Sequence, residues 1–173
     1  VQFSGIFVDE DYRCEDASFS LLLCEAGEGR LSFDLTTEAD APLNFSSIRV
    51  RSTADERMYG MGEQFPHETL NLKGRQIRVL SEEGGVGRGH PIIAPVVDLA
   101  SPGSAGNEGT TYNAAPHYIT SELHSVFLKD TAYAEFDFRA DAFTEIRLHD
   151  KDMAWEAVYA PSPLQLIERF TEY

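Results

Sequence analysis

The sequence predicts an all-β protein, an antiparallel β-sandwich followed by the start of a C-terminal linker helix. Apolar residues recur with a period of two. Turn-forming clusters such as "EAGEGR", "EADAPLN", "NLKGR", "KDTA" and "RADA" cut the chain into roughly ten short runs. Between those runs no segment has helical spacing, which disfavours βα architectures.

Taken in chain order, "SFSLLLC" (18–24) is apolar on both parities after Ser20, the pattern of a central strand, and Cys24 within it reads as a buried free thiol. In "RLSFDLTT", Leu31, Phe33 and Leu35 share one face while Ser32, Asp34 and Thr36 take the other. "SSIRVRS" sets Ile48 and Val50 against Arg49 and Arg51. Further on, Phe136 and Phe138 oppose Glu135, Asp137 and Arg139, and Ile146 and Leu148 oppose Glu145, Arg147 and His149. One greasy and one wet face is what an antiparallel strand with a solvated side requires.

Two stretches break this rhythm. Residues 81–114 carry seven glycines and three prolines around a single apolar run, and read as a long loop of the kind that tends to serve function. In "APSPLQLIERFTEY", Ser162 stands as N-cap, Pro163 in the first turn and Gln165 three residues after the cap. Leu164, Leu166, Ile167 and Phe170 supply its apolar face, and no helix-ending residue follows. This reads as a helix that continues in a longer protein. The division expected is a sandwich over residues 1–160 and the beginning of a linker helix over 161–173.

Composition narrows the partners. The chain has 173 residues and a formal net charge of -15, so it lacks the clustered cations that nucleic acid needs. No apolar run approaches the ~20 residues of a membrane helix. The N-terminus has no signal-like pattern, and a reducing, cytoplasmic setting is expected from the two cysteines, Cys14 and Cys24, whose spacing fits no zinc motif. Neither metal nor cofactor is expected: the five histidines have no ligand spacing, and "EGGVGRG" lacks both the right third glycine and a following helical pattern. No G-x-S-x-G elbow is present. Among 29 acids, sequence alone does not single out a pair ~5–5.5 Å apart for glycoside hydrolysis.

The stretch "ERMYGMGEQF" (56–65) is different: its two glycines mark either a tight polar turn or a close backbone approach that aims Glu63 and Gln64 at something. With "LKGR" (72–75), "EGGVGRG" (83–89) and "APHYITS" (115–121) in the same order, it resembles the N-terminal domain of glycoside hydrolase family 31, in the bacterial α-glucosidase and sulfoquinovosidase-like subgroup. The likeness runs from about residue 45 to the end; the first 44 residues share only strand character. The subgroup's loop glutamine is replaced by Gly84 or lies in a one-residue insertion, and "FPHETLNLKGR" is longer than usual.

The resemblance implies a galactose-mutarotase-like sandwich packed on a (β/α)8 barrel of the same polypeptide, with an α-linked sugar as the parent's substrate. Both catalytic aspartates would belong to that barrel, which needs ~250 residues, so no catalytic residue is expected in this chain. It also implies that Glu83, or Glu82 in the alternative register, and Arg88 lie on a loop that shapes the substrate pocket, supported by Glu63 and Gln64. The alternatives are a stand-alone carbohydrate-binding sandwich and a mutarotase-type epimerase using His90, His117 and Glu83 as acid and base.

Overall fold

The computed structural model describes residues 1–8, 13–40, 42–63, 69–79, 87, 89–106, 110–111 and 113–172, with backbone alone at 7, 8 and 13–16. Its strands are β1 (Gln2–Val8), β2 (Arg13–Gly27), β3 (Arg30–Ala39), β4 (Ser46–Arg51), β5 (Met58–Glu63) and β6 (Gln76–Val79), then β7 (Asn113–Thr120), β8 (His124–Leu128), β9 (Ala134–Asp137), β10 (Phe143–Leu148) and β11 (Met153–Tyr159). Helix α1 (Ile93–Ala100) lies between β6 and β7, and α2 (Pro163–Thr171) follows β11. A seven-stranded sheet, ordered β1-β2-β3-β11-β8-β7-β5, faces a four-stranded one, ordered β4-β10-β9-β6, and every pairing is antiparallel.

The core is the sum of the apolar faces that the alternation marked out. Met58, Tyr118, Val126, Leu128, Met153 and Trp155 come from the large sheet, and Ile77, Phe136, Ile146 and Leu148 from the small one. Phe33 stacks on Trp155 at 4.8 Å, and Tyr118 meets Phe136 and Phe138 edge-on. Fully burying each such side chain is worth about 1.5–3 kcal/mol, so this seam dominates the stability of the fold.

At one end the large sheet extends beyond its cover. Leu21 packs on the core, and its register partner Phe3 shares that face yet is 52% exposed. Leu31 and Tyr159, on the same face, are also exposed. The large sheet's opposite face carries α2. Ser162 accepts a hydrogen bond from the Gln165 N–H (3.3 Å), and Pro163 occupies the first turn, as the capping pattern requires. Leu166 is buried against Val158, Ala160 and Ile119, and Phe170 lies flat on His117 at 3.9 Å and edge-on to Phe127. Arg169 donates to the Tyr159 carbonyl and pairs with Glu28 (3.0 Å), tying the helix to the β2–β3 turn.

Three expectations are corrected. The apolar run in 81–114 is a helix rather than loop; its first turn takes Pro95, whose missing N–H would have no intrahelical partner there. Strand β2 is not buried on both faces: Leu22 is 41% exposed. Cys24 shares the parity of Leu22 and is an exposed free thiol, not a buried one.

Candidate functional site

The turn that opens the candidate loop is built around a bulge. The β5–β7 register shifts between Gly60 and Gly62, and the residue between them, Met61, is fully buried with a φ of 67°. At Gly62, with φ 85°, a Cβ would sit 1.9 Å from the Asn113 carbonyl oxygen; at Gly60 one would sit 2.6 Å from that of His117. Both glycines are therefore demanded by close backbone approach. The bulge turns Met61 into the core and leaves Glu63 exposed at the end of β5, opposite Asn113. Of the other residues assigned to the site from sequence, Gln64, Glu82, Glu83 and Arg88 lie outside the described residues.

The described residues that flank these stretches in sequence form their own hydrogen-bond pattern. The Asn71 side chain accepts from the Met58 and Lys73 N–H groups (2.9 and 3.1 Å), and the Leu72 N–H donates to Met58, so 71–73 is laced to the start of β5. Lys73 reaches Ser52 and the Ala140 carbonyl, both at 2.9 Å. The base of the 80–112 segment is closed where the Thr111 hydroxyl donates to the Arg78 carbonyl at 3.0 Å. Within that segment, His90 Nδ1 accepts from the Ile92 and Ile93 N–H groups, and Asp98 accepts from the Ala105 N–H (2.9 Å). Helix α1 buries no residue; Ile92, Ile93, Val96 and Leu99 are exposed.

Contrary to the expectation from sequence, a helix does follow the glycine cluster. His90 takes up N–H groups at the start of that helix, and these are the donors a phosphate would need.

Sequence reasoning missed a pair between a buried acid and a half-buried histidine. Glu56 is 2% exposed; one carboxylate oxygen accepts from the Thr53 N–H (3.2 Å) and the other lies 3.5 Å from His124 Nε2. His124 Nδ1 is 3.1 Å from the Thr120 hydroxyl. The buried Tyr118 hydroxyl is held well above the usual phenol range by desolvation and by the Glu56 carboxylate. These residues come from the β4–β5 connection and the β7–β8 hairpin, a separation that local pattern does not reveal.

The histidines proposed for epimerase chemistry stand apart in role. His117 is covered by Phe170 and Phe127, and burial lowers its pKa to about 4. His90, just ahead of α1, has its Nδ1 taken up by the Ile92 and Ile93 N–H groups. Among the described residues no group of three or more His, Cys, Asp and Glu side chains could hold a metal ion, and no helix is long and apolar enough to cross a membrane.

No protein-family profile matches the chain. Against the sulfoquinovosidase of Escherichia coli (strain K12) it is 25% identical over 161 residues, covering 92% of this chain and 23% of that protein. Against the sulfoquinovosidase of Agrobacterium fabrum it is 29% identical over 112 residues, 65% of this chain and 17% of the other. A solved GH31 family sulfoquinovosidase from E. rectale, in complex with an aza-sugar inhibitor, superposes with a TM-score of 0.76 at 26% identity, over 98% of this chain and 25% of that one. These likenesses are consistent with an N-terminal domain of a GH31 enzyme.

The chain spans about a quarter or less of the length of the relatives it matches. A Flavobacterium johnsoniae GH31 dextranase shares its fold at 15% identity and a TM-score of 0.55. The all-β sandwich, the C-terminal helix and the family likeness read from the motifs of 56–121 therefore agree with both the architecture and the relatives.

Proposed function

We propose that this GH31 domain is the non-catalytic sandwich of a retaining α-glycosidase, packing on a catalytic barrel of the same polypeptide and holding a loop at the substrate pocket. The observation that carries this reading is the alignment of nearly the whole chain with a minor part of sulfoquinovosidases. Residues 1–160 form the sandwich in this proposal, and 161–173 begin the link to the barrel. Helix α2 suits that task, because Arg169, Leu166 and Phe170 fix its direction relative to the large sheet.

The 80–112 segment is the pocket-shaping element of the proposal. Its base is pinned by the Thr111–Arg78 bond and by the β5–β7 ladder, so its apex can reach outward from a rigid edge. Glu83, with Glu82 as the alternative, would accept hydrogen bonds from sugar hydroxyls, and Arg88 would flank it. Glu63 and Gln64 are the supports of that loop. An α-linked sugar is the substrate class, and the setting is bacterial cytoplasm.

The test is Glu83→Ala in the longer enzyme. Loss of a charged hydrogen bond to substrate should lower kcat/KM about tenfold to a hundredfold with the melting temperature unchanged. An unchanged kcat/KM in both Glu83→Ala and Glu82→Ala would put the loop's acids outside the pocket.

A further inference from the structure

The uncovered end of the large sheet holds a bay of about 420 Å³ that takes no part in the function proposed above. Its volume falls within the range of about 300–1,000 Å³ typical of small-molecule sites. Glu25, Leu31, Ala157, Tyr159 and His124 line it, and the β-ladders place all five on the core-side face: Glu25 opposes Leu31, Leu31 opposes Ala157, and Tyr159 opposes His124. Gly27, which has no side chain, also borders the bay.

The chemistry of the lining is specific. Tyr159 is 58% exposed and Leu31 42%, so an aromatic ring and an aliphatic side chain stand in water beside each other. The His124 ring is held from behind: Nε2 lies 3.5 Å from the buried Glu56 carboxylate, and Nδ1 lies 3.1 Å from Thr120. The Thr120 contact holds one nitrogen and the Glu56 carboxylate lies on the side of the other, so the ring is oriented within the bay wall. Glu25 supplies a carboxylate, an acceptor for hydroxyl donors. Arg30 borders the same bay, but its guanidinium lies 3.7 Å from Glu156.

We propose that this bay binds a neutral pyranose, stacked by its C–H face on Tyr159 and Leu31 and donating hydroxyl hydrogens to Glu25. A pyranose is flat and two-natured, with an apolar face and a rim of hydroxyls, which matches rings and aliphatic groups beside one carboxylate. An anionic sugar fits poorly, because the bay holds Glu25 and the whole chain carries a net charge of -15. The site is thus a sugar-binding subsite separate from the 80–112 loop, and its existence does not depend on the role proposed for Glu83.

Amide NMR titration of the 173-residue chain tests it. Methyl α-D-glucopyranoside should shift the signals of Glu25, Leu31, His124 and Tyr159 with millimolar affinity. Tyr159→Ala should weaken binding about tenfold, and Tyr159→Phe should retain it. Glu25→Gln should weaken it about threefold. Tyr159 is largely exposed, so the alanine variant stays folded and its spectrum serves as the control. Three outcomes overturn the proposal: no localised shift at about 50 mM sugar, equal binding by Tyr159→Ala, or tighter binding of a sulfonated pyranoside than of the neutral one.

Discussion

Replacing Gly62 by alanine is expected to destabilise the domain by about 4 kcal/mol, the largest effect of any single substitution considered. Two terms add. Alanine at φ 85° is strained in its own backbone, at a cost of about 1–3 kcal/mol. Its Cβ would also overlap the Asn113 carbonyl oxygen, 1.9 Å away, and the Ala115 nitrogen, 2.7 Å away, both backbone atoms of a paired strand that have no easy retreat. Relief requires β5 to part from β7, which withdraws Met61 from the core and frees the start of the candidate loop. In thermal melts the shift should be about 10 °C downward. Gly74→Ala is the control, since at φ 85° it carries the backbone strain while its Cβ meets nothing within 4 Å. Equal losses at the two positions would show that close approach at Gly62 contributes nothing.

The second large effect is expected with pH, through His117. Burial under Phe170 and beside Phe127 lowers its pKa to about 4 in the folded domain, against about 6.5 in an unfolded chain. The imidazole is therefore neutral when folded, whereas the unfolded chain takes up a proton below pH 6.5. The group imposes no penalty above that pH, and stability is lost progressively as pH falls from about 6.5 to about 4, with no further loss below. The full cost is about 3 kcal/mol, and about 2 kcal/mol is already lost between pH 7 and 5. On the outer face Glu156 lies across β8, opposite Phe127, and is engaged with Lys129 and Arg30. Denaturant titrations of the wild type and His117→Phe isolate the contribution, because other carboxylates titrate in both. The phenylalanine variant should gain about 2 kcal/mol on the wild type from pH 7 to 5. Parallel profiles would contradict the burial of this ring.

These two residues also show where the sequence was informative. The strand alternation around Leu35, Phe136 and Ile146 was legible because each strand has one face on a shared core and one in water. Gly60 and Gly62 were legible as a turn or a close approach, since glycine in a strand context has few other uses. Helix α1 was hidden for a physical reason. "IIAPVVDLA" is rich in β-branched residues and contains proline, and the folded helix relies on His90 at its start and on a proline confined to the first turn. The N-cap position is held by Ile92, which is not among the usual N-cap residues, so it gave no warning.

Long-range pairings and the exposure of single residues were less legible than the fold. Glu56 reads as one acid among 29, and only the docking of the β7–β8 hairpin brings it to His124. Cys24 looked buried because its neighbours are leucines, but that end of the outer face is open. The roles of Glu82, Glu83 and Arg88 came from family likeness alone, and no local pattern distinguishes those acids from a solvated loop.

The central claim, that this domain supports rather than performs glycoside hydrolysis, is tested most directly by one assay. Hydrolysis of an aryl α-glycoside is measured with the purified 173-residue chain and with the longer enzyme that contains it. The expected result is no turnover by the folded domain and turnover by the longer enzyme. Hydrolysis by the domain alone, abolished by a substitution within it, would contradict the account.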